Sequence, residues 1–194
     1  MTSQDLIDFV TANSSDRPIL ILTIGPSRCG KSTAVKELKS VLTDLSLSNE
    51  MFNFSKWSFF ESDVVREEFT RTRYNATPQF TRFENNDFWK HMWSTIASKL
   101  SNNVSVVLDA TNLDRNVPLS IKEGFVEHVP DFMVLLWVFP IPDLKILEER
   151  NKKSGKGVPT EVLKKHLYAA EQFRSRTQFT WIDTFADVVF MDAK

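Results

Sequence analysis

Gly25-Pro26-Ser27-Arg28-Cys29-Gly30-Lys31-Ser32 follows the apolar run Ile19–Ile24 and precedes a helical pattern from Lys31 to about Leu45. The octapeptide satisfies G-x-x-x-x-G-K-[ST] at every fixed position. Its chemistry follows from its residue types. The two glycines let backbone N–H groups converge on phosphate oxygens, and the following helix presents its N-terminal dipole to the same point. Lys31 is placed to neutralise charge on β- and γ-phosphates, Ser32 to ligate Mg²⁺, and Thr33 to contact an α-phosphate. We take Gly25, Pro26, Ser27, Arg28, Cys29, Gly30, Lys31, Ser32 and Thr33 as a candidate phosphate cradle. Cys29 lies near a helix N-terminus, where a thiol pKa can fall.

Outward from the cradle, strand-like and helical segments alternate. Helices are expected over Ser3–Asn13, Val64–Arg73, Phe80–Leu100, Asn116–His128, Asp143–Asn151 and Thr160–Gln172. Strands are expected at Phe52–Glu61, Val104–Leu108, Met133–Phe139 and Val188–Met191. In Phe80–Leu100 the buried stripe is expected at Trp89, Met92 or Trp93, Ile96 and Leu100. Such alternation implies an α/β fold with a parallel sheet of about five strands covered by helices on both faces.

The whole chain bounds what this fold does. Its 194 residues predict a single domain, and 42% hydrophobic with 25% charged residues are ordinary globular values. The 24 basic and 25 acidic side chains leave a formal net charge of −1, so any nucleic-acid contact must come from a local patch. One cysteine excludes an internal disulfide, and three scattered histidines argue against an ordinary zinc site. Pro18–Ile24 and Phe132–Pro140 fall short of the roughly 18 to 20 residues of a membrane span. The start, Met1 to Asp5, has no basic and apolar leader pattern, and a cytoplasmic location is expected.

Three further elements bear on an acceptor. In Ser62-Asp63-Val64-Val65-Arg66, a helix places Asp63 and Arg66 on one face. There a carboxylate can take a hydroxyl proton and an arginine can hold phosphate, although Asp is equally suited to cap the helix. Val106–Asn112 is an apolar strand ending in Asp109, a position suited to the Mg²⁺ shell. Glu149–Pro159 carries Arg150, Lys152, Lys153 and Lys156 with two glycines, a basic loop able to close over a nucleotide or simply a solvated turn. Between Phe52 and Trp93 lie 12 of the 23 aromatic residues, mostly expected in the core, with Arg71, Arg73 and Arg82 interspersed.

In this order, the P-loop, Asp-x-x-Arg, Asp-Ala-Thr-Asn and the Arg150–Pro159 stretch resemble the kinase domain of phage-type polynucleotide 5′-hydroxyl kinases over about Ile19 to Phe173. The resemblance implies a P-loop NTPase of the kinase type, with a helical lid at about residues 150–159. It implies ATP and Mg²⁺, and the 5′ end of DNA or RNA as acceptor. Lys31 and Ser32 match phosphate and metal ligands, Asp63 the general base, Arg66 its partner, and Asp109 the Asp of the family's Asp-Thr-Asn motif. The family's lid arginine falls at Ser154 here, leaving Arg150, Lys153 or Lys156 to supply the cation, and a lysine lacks the bidentate fork. No Asp-x-Asp phosphatase segment follows, so kinase activity alone is expected. Two other readings stay open. One is a related kinase acting on a modified base, nucleoside, sugar or antibiotic; the other is a nucleotide-dependent binding module without chemistry.

Overall fold

The computed structural model describes residues 3–13, 17–48, 53–74, 81–125, 131–155, 157–185 and 187–193. Its centre is a sheet of mostly apolar strands. β1 (Ile19–Ile24) and β4 (Met133–Val138) pair in parallel and are buried along their whole length. β3 (Ser105–Asp109) lies on the other side of β1, then β2 (Trp57–Glu61) beyond β3, while β5 (Val188–Asp192) pairs with β4. The order is β2-β3-β1-β4-β5, all parallel, the five-stranded α/β architecture the alternation predicts.

Strand periodicity sorts side chains between two cores. Leu20, Leu22 and Ile24 of β1 join Val106 and Leu108 of β3 and Val134 and Leu136 of β4 on one face. Ile19, Ile21, Val107 and Leu135 point to the other, against α1 (Ser3–Asn13) and α2 (Lys31–Ser48). The first face is covered by α3 (Ser62–Tyr74), α4 (Arg82–Ser101) and α5 (Val117–Gly124), with residues of α7 (Thr160–Gln172) and α8 (Gln178–Thr184). α6 (Leu144–Lys153) precedes α7 and packs on it.

Several boundaries differ from expectation. β2 begins only at Trp57, because Asn53 accepts the Ser55 N–H and caps a 3₁₀ turn over Phe54–Lys56. α4 starts after Thr81, whose hydroxyl accepts the Glu84 N–H; Phe80 lies outside the described residues. The Glu84 side chain turns away from that cap and accepts from the Thr70 hydroxyl of α3, joining the two helices. Along α4, Phe88 occupies the fully buried position, and Trp89 is half-buried beside it. α5 is described to Gly124, and residues 126–128 of the expected helix lie outside the described ones. After α7 the chain widens into a π turn, Phe173–Thr177, and continues as α8, an element beyond the expected helices. Its anchors are Phe173 and Trp181, both buried in the first core. Among the described residues no helix is long and apolar enough to cross a membrane.

Gly124 shows how tightly the first core closes. A Cβ there would stand 2.5 Å from Cβ of Trp93. Gly124→Ala should destabilise by about 1–3 kcal/mol, the usual cost of overpacking. The check is a thermal melt, in which the midpoint falls by several degrees; an unchanged midpoint would show that α4 and α5 separate freely.

Candidate functional site

All five strands end at one edge of the sheet, and the cradle lies there because β1 is central. The backbone makes the turn with Arg28 at φ 69° and Gly30 at φ 114°. A non-glycine residue in the left-handed region is strained, and Arg28 is held there through both its side chain and its carbonyl by α6 residues. Gly25 has a different reason to be small: a Cβ would meet Cys29 Sγ at 2.9 Å and Phe139 Cβ at 3.0 Å.

Lys31 is only 7% exposed. Its ammonium donates to the carbonyls of Gly25 (3.0 Å) and Pro26 (2.6 Å), and Cys29 Sγ lies 3.8 Å away. Burial pulls its pKa down, while Cys29, Asp109 and Asp63 oppose that pull. The site thus sets a buried cation at the N-terminus of α2, which is what an anion requires. Ser32 and Thr33 are exposed at the start of α2.

Asp109, at the end of β3, is 6% exposed. The loop after it is stitched to β1. The Thr23 hydroxyl donates to Ala110 O (2.8 Å) and accepts from Ala110 N. Asn112, at φ 48°, donates from Nδ2 to Thr23 O (3.0 Å), and Gly25 N donates to Thr111 O. The Asp-Ala-Thr-Asn segment therefore sets where the cradle begins. A hydroxyl and a carboxylate at these positions suit Mg²⁺, which takes one or two protein oxygens and completes its shell with phosphate and water. Among the described residues no three His, Cys, Asp or Glu side chains gather, and Mg²⁺ in such a site asks for no such cluster.

The register sets Glu61, at the end of β2, opposite Asp109, and α3 begins immediately after it. Asp63 is exposed in the first turn of α3 and acts electrostatically on both Lys31 and Arg66. Arg66 is on the same face, as its spacing predicts, but it is 7% exposed. Its guanidinium donates to Asn85 Oδ1 (2.9 Å) and lies over the Phe88 ring at 4.1 Å. Burial lowers its pKa from the ordinary arginine value, opposed by Asp63 and Glu84. The expectation of an arginine open to an acceptor phosphate is thus met by one clamped between α3 and α4. The nearby aromatics are mainly core, with Trp57, Phe69, Phe88 and Trp93 buried. Arg73 is paired with Asp87 at 2.8 Å, Arg71 is exposed, and the Arg82 side chain lies outside the described ones.

Opposite, the 144–172 helical hairpin meets the cradle. Arg150 is exposed and donates to Arg28 O (3.1 Å). Arg28 Nε donates to Asn151 Oδ1 (3.1 Å), and the Ser27 hydroxyl is 3.0 Å from Nδ1 of His166 on α7. Asn151 also closes the basic turn, accepting from Val158 N (3.0 Å) and donating to Val158 O (2.7 Å). The basic stretch is the end of α6 plus a short turn. Lys153 is exposed there, and Lys156 lies outside the described residues. A cavity of about 530 Å³ opens between cradle and hairpin, lined by Arg28 to Ala34 with Glu37, Phe139, Pro140 and Arg150; Asp63 and Arg66 are outside its lining. Asn151 and His166 were not among the expected site residues. The Arg-Asn pair in the basic stretch was a signal for Asn151, but a lone histidine on a helix carries none.

A family model described as an AAA domain matches residues 20–175, and the chain belongs to that family. Its fold is that of the P-loop kinases. Among solved structures it is similar to a chain of the Pnkp1/Rnl/Hen1 RNA repair complex, at 18% identity and TM-score 0.56. That match covers 86% of this chain and 48% of the other, so the chain spans about half the length of that relative. It is also similar to Chaetomium thermophilum Kti12 in complex with ADP-AlF3, at 14% identity and TM-score 0.56, covering 90% of this chain and 88% of that one. The Deinococcus radiodurans tunicamycin resistance protein matches at 14% identity and TM-score 0.50 over 83% of each chain. These likenesses establish the fold. A comparison with curated proteins finds no match.

Cys29 gives a direct test of the cradle's interior. The expectation of a lowered thiol pKa is reversed: burial raises it above the ordinary value of 9.0, and the nearby Lys31 only partly offsets this. At pH 7.5 the thiolate fraction is therefore smaller than for a free cysteine. Iodoacetamide should alkylate Cys29 at least about tenfold more slowly than it does a small free thiol, with the rate still climbing above pH 9. Mass spectrometry of timed aliquots measures this, and rapid modification at neutral pH would place the sulfur at the surface.

Proposed function

We propose that this chain transfers the γ-phosphate of ATP to a hydroxyl, with the 5′-hydroxyl end of a DNA or RNA strand as the acceptor. The observation that carries the reading is Asp63, an exposed carboxylate in the field of both the phosphate lysine and Arg66. A binding module needs the cradle but no carboxylate poised beside it. The likeness to a chain of an RNA repair complex supports the polynucleotide acceptor.

In this reading the backbone N–H groups of residues 27–32 and the Lys31 ammonium hold the β- and γ-phosphates. Ser32 and Asp109 would hold Mg²⁺, which when bound supplies positive charge to the phosphate oxygens. Asp63 accepts the proton of the acceptor hydroxyl as its oxygen bonds to the γ-phosphorus. The bond from that phosphorus to the β–γ bridging oxygen breaks, ADP leaves, and the proton passes from Asp63 to solvent. Arg66 acts from its clamp against Phe88 and Asn85, fixing the α3 turn that carries Asp63. Arg150 and Lys153, with Lys156, form the lid cations at residues 150–159 of what we take as a single kinase domain. The arginine fork of Arg150, already bonded to the cradle, is the one placed to act on transferring charge.

A second acceptor class is favoured by one observation. Among the described residues Arg66 is buried and Arg73 is engaged by Asp87, which leaves Arg71 as the open arginine of α3, a short cationic track for a long phosphodiester strand. A small alcohol, sugar, nucleoside or antibiotic needs none.

Radiolabelled ATP offered with 5′-hydroxyl DNA, 5′-hydroxyl RNA, 3′-nucleotides and small alcohols separates these readings. Lys31→Ala should abolish transfer and weaken ATP binding. Asp63→Asn should retain ATP affinity and lose roughly 10²–10⁴-fold in transfer, the contribution of a positioned acid–base group. Arg66→Lys should recover only part of what Arg66→Ala loses. Wild-type transfer by Asp63→Asn would make Asp63 a helix cap and remove the proposed base.

A further inference from the structure

The hairpin's contacts with the cradle include one titratable group that the proposed transfer leaves unused. His166 sits on α7, half-buried, with Nδ1 3.0 Å from the Ser27 hydroxyl. Ser27 is followed by Arg28, whose carbonyl and Nε are both taken by α6, through Arg150 and Asn151. Consecutive cradle residues are thus bonded to both helices of the hairpin. The charged groups that face the imidazole are Lys31, from the start of α2, and Lys165, on α7 itself. Both are cations. One of them is the residue whose charge a nucleotide phosphate neutralises.

We propose that His166 is a positioning residue that senses the terminal phosphate: a nucleoside triphosphate at the cradle makes the ring take up a proton, and the imidazolium locks α7 onto Ser27. The proposal rests on the reading of the cradle as a nucleotide site, and it concerns triphosphate against diphosphate rather than the acceptor. In the free protein, burial and the two lysines hold the imidazole below its ordinary pKa, so it is neutral at pH 7. A neutral ring bonds Ser27 in either tautomer, with the hydroxyl rotating to suit. An anion at Lys31 cancels the repulsion and favours the charged form. The protonated ring has N–H donors at both nitrogens. Nδ1 then donates to Ser27 Oγ, whose O–H stays intact and turns toward the bound phosphate. The ring gains one N–H bond to a proton from solvent and gives that proton back when the phosphate leaves; no other covalent bond changes. The linkage has a definite sign. Because binding takes up a proton, triphosphate affinity is highest at low pH and falls between the free and bound pKa values of His166. Below the first and above the second it is flat.

The experiment is a pair of competition titrations with ATP and ADP, from pH 5.5 to 8.5, on the wild type, His166→Asn and His166→Gln. The titration of ATP's own phosphate is common to all three proteins, so the quantity read is the ratio of wild-type to variant affinity. For ATP that ratio should fall by about tenfold across the range, equivalent to one pKa unit of coupling. For ADP, whose β-phosphate also meets Lys31 but which lacks the γ-phosphate, the fall should be smaller, and an equal fall for the two overturns sensing of the terminal phosphate. In parallel, imidazole NMR signals assigned by loss in the His166 variants should show the His166 midpoint moving to higher pH with ATP and moving less with ADP. A merely structural histidine would lower both affinities at every pH without moving either signature. If ATP binds and the ratio is flat with an unmoved midpoint, the sensor is overturned while the nucleotide site stands. If the wild type binds neither nucleotide, the nucleotide reading itself fails and the sensor falls with it. Should a histidine variant fold poorly, Ser27→Ala leaves the ring in place. There the wild-type NMR midpoint must be measured against one in which ATP no longer produces the full displacement; an identical displacement also overturns the proposed lock.

Discussion

A buried ammonium organises this molecule. Lys31 opens α2 just past the turn that follows β1, where a charge removed from water must be compensated by fixed dipoles and opposite charge. The carbonyls of Gly25 and Pro26 supply the dipoles, and they face inward because the chain turns through two left-handed residues between them and the helix. Opposite charge comes from the neighbouring strands. The order β2-β3-β1 brings the end of β3, with Asp109, directly beside β1, and the end of β2, with Asp63 just beyond it, one strand further out. The topology thus arranges anions around a cation at increasing distance, deep to exposed. Asp109 is covered and Asp63 is open to solvent, so one carboxylate is suited to a metal shell and the other to meeting an incoming molecule.

The two flanks of the site are built by different chemistry. On the hairpin side, polar bonds to backbone and side chains hold Ser27 and Arg28, and these are exchangeable with water. On the α3–α4 side, Arg66 is held by its hydrogen bond to Asn85 and by the rings of Phe88 and Trp89, with Glu84 joining the helices through Thr70. A guanidinium stacked on a ring keeps its charge with less need of hydration, which is why arginine rather than lysine occupies that place. The hairpin side is suited to movement, and the aromatic side to holding position.

The parts legible in the sequence were those written in contiguous residues. Ile19–Ile24 and Met133–Phe139 read as strands because burial on both faces leaves them nearly all apolar, with Thr23 the one polar residue of β1, and Gly25–Ser32 was legible because glycine and lysine spacing is itself the geometry. Parts made by contact between distant segments were not. Nothing local distinguishes Phe88 from Trp89; α3 decides which of them is covered. The burial of Arg66 follows from Asn85 and Phe88, and the role of His166 from a serine in the cradle. The π turn at Phe173–Thr177 was hidden because Phe173 and Trp181 look like ordinary helical positions until the bulge turns both inward. The basic stretch was legible as a charge cluster, whereas its brevity depended on Asn151 closing it.

That closure has a consequence for chain entropy. Asn151 satisfies both the N–H and the C=O of Val158, seven residues on, so the turn between them is a ring whose ends are fixed by one side chain. The entropic cost of such a ring rises only with the logarithm of its length, about 0.6 kcal/mol for each doubling. The span between the end of α6 at Lys153 and Val158 can therefore change in length and charge while the ring's base keeps its place, and a lengthened turn would extend its reach without unseating the helices that carry it.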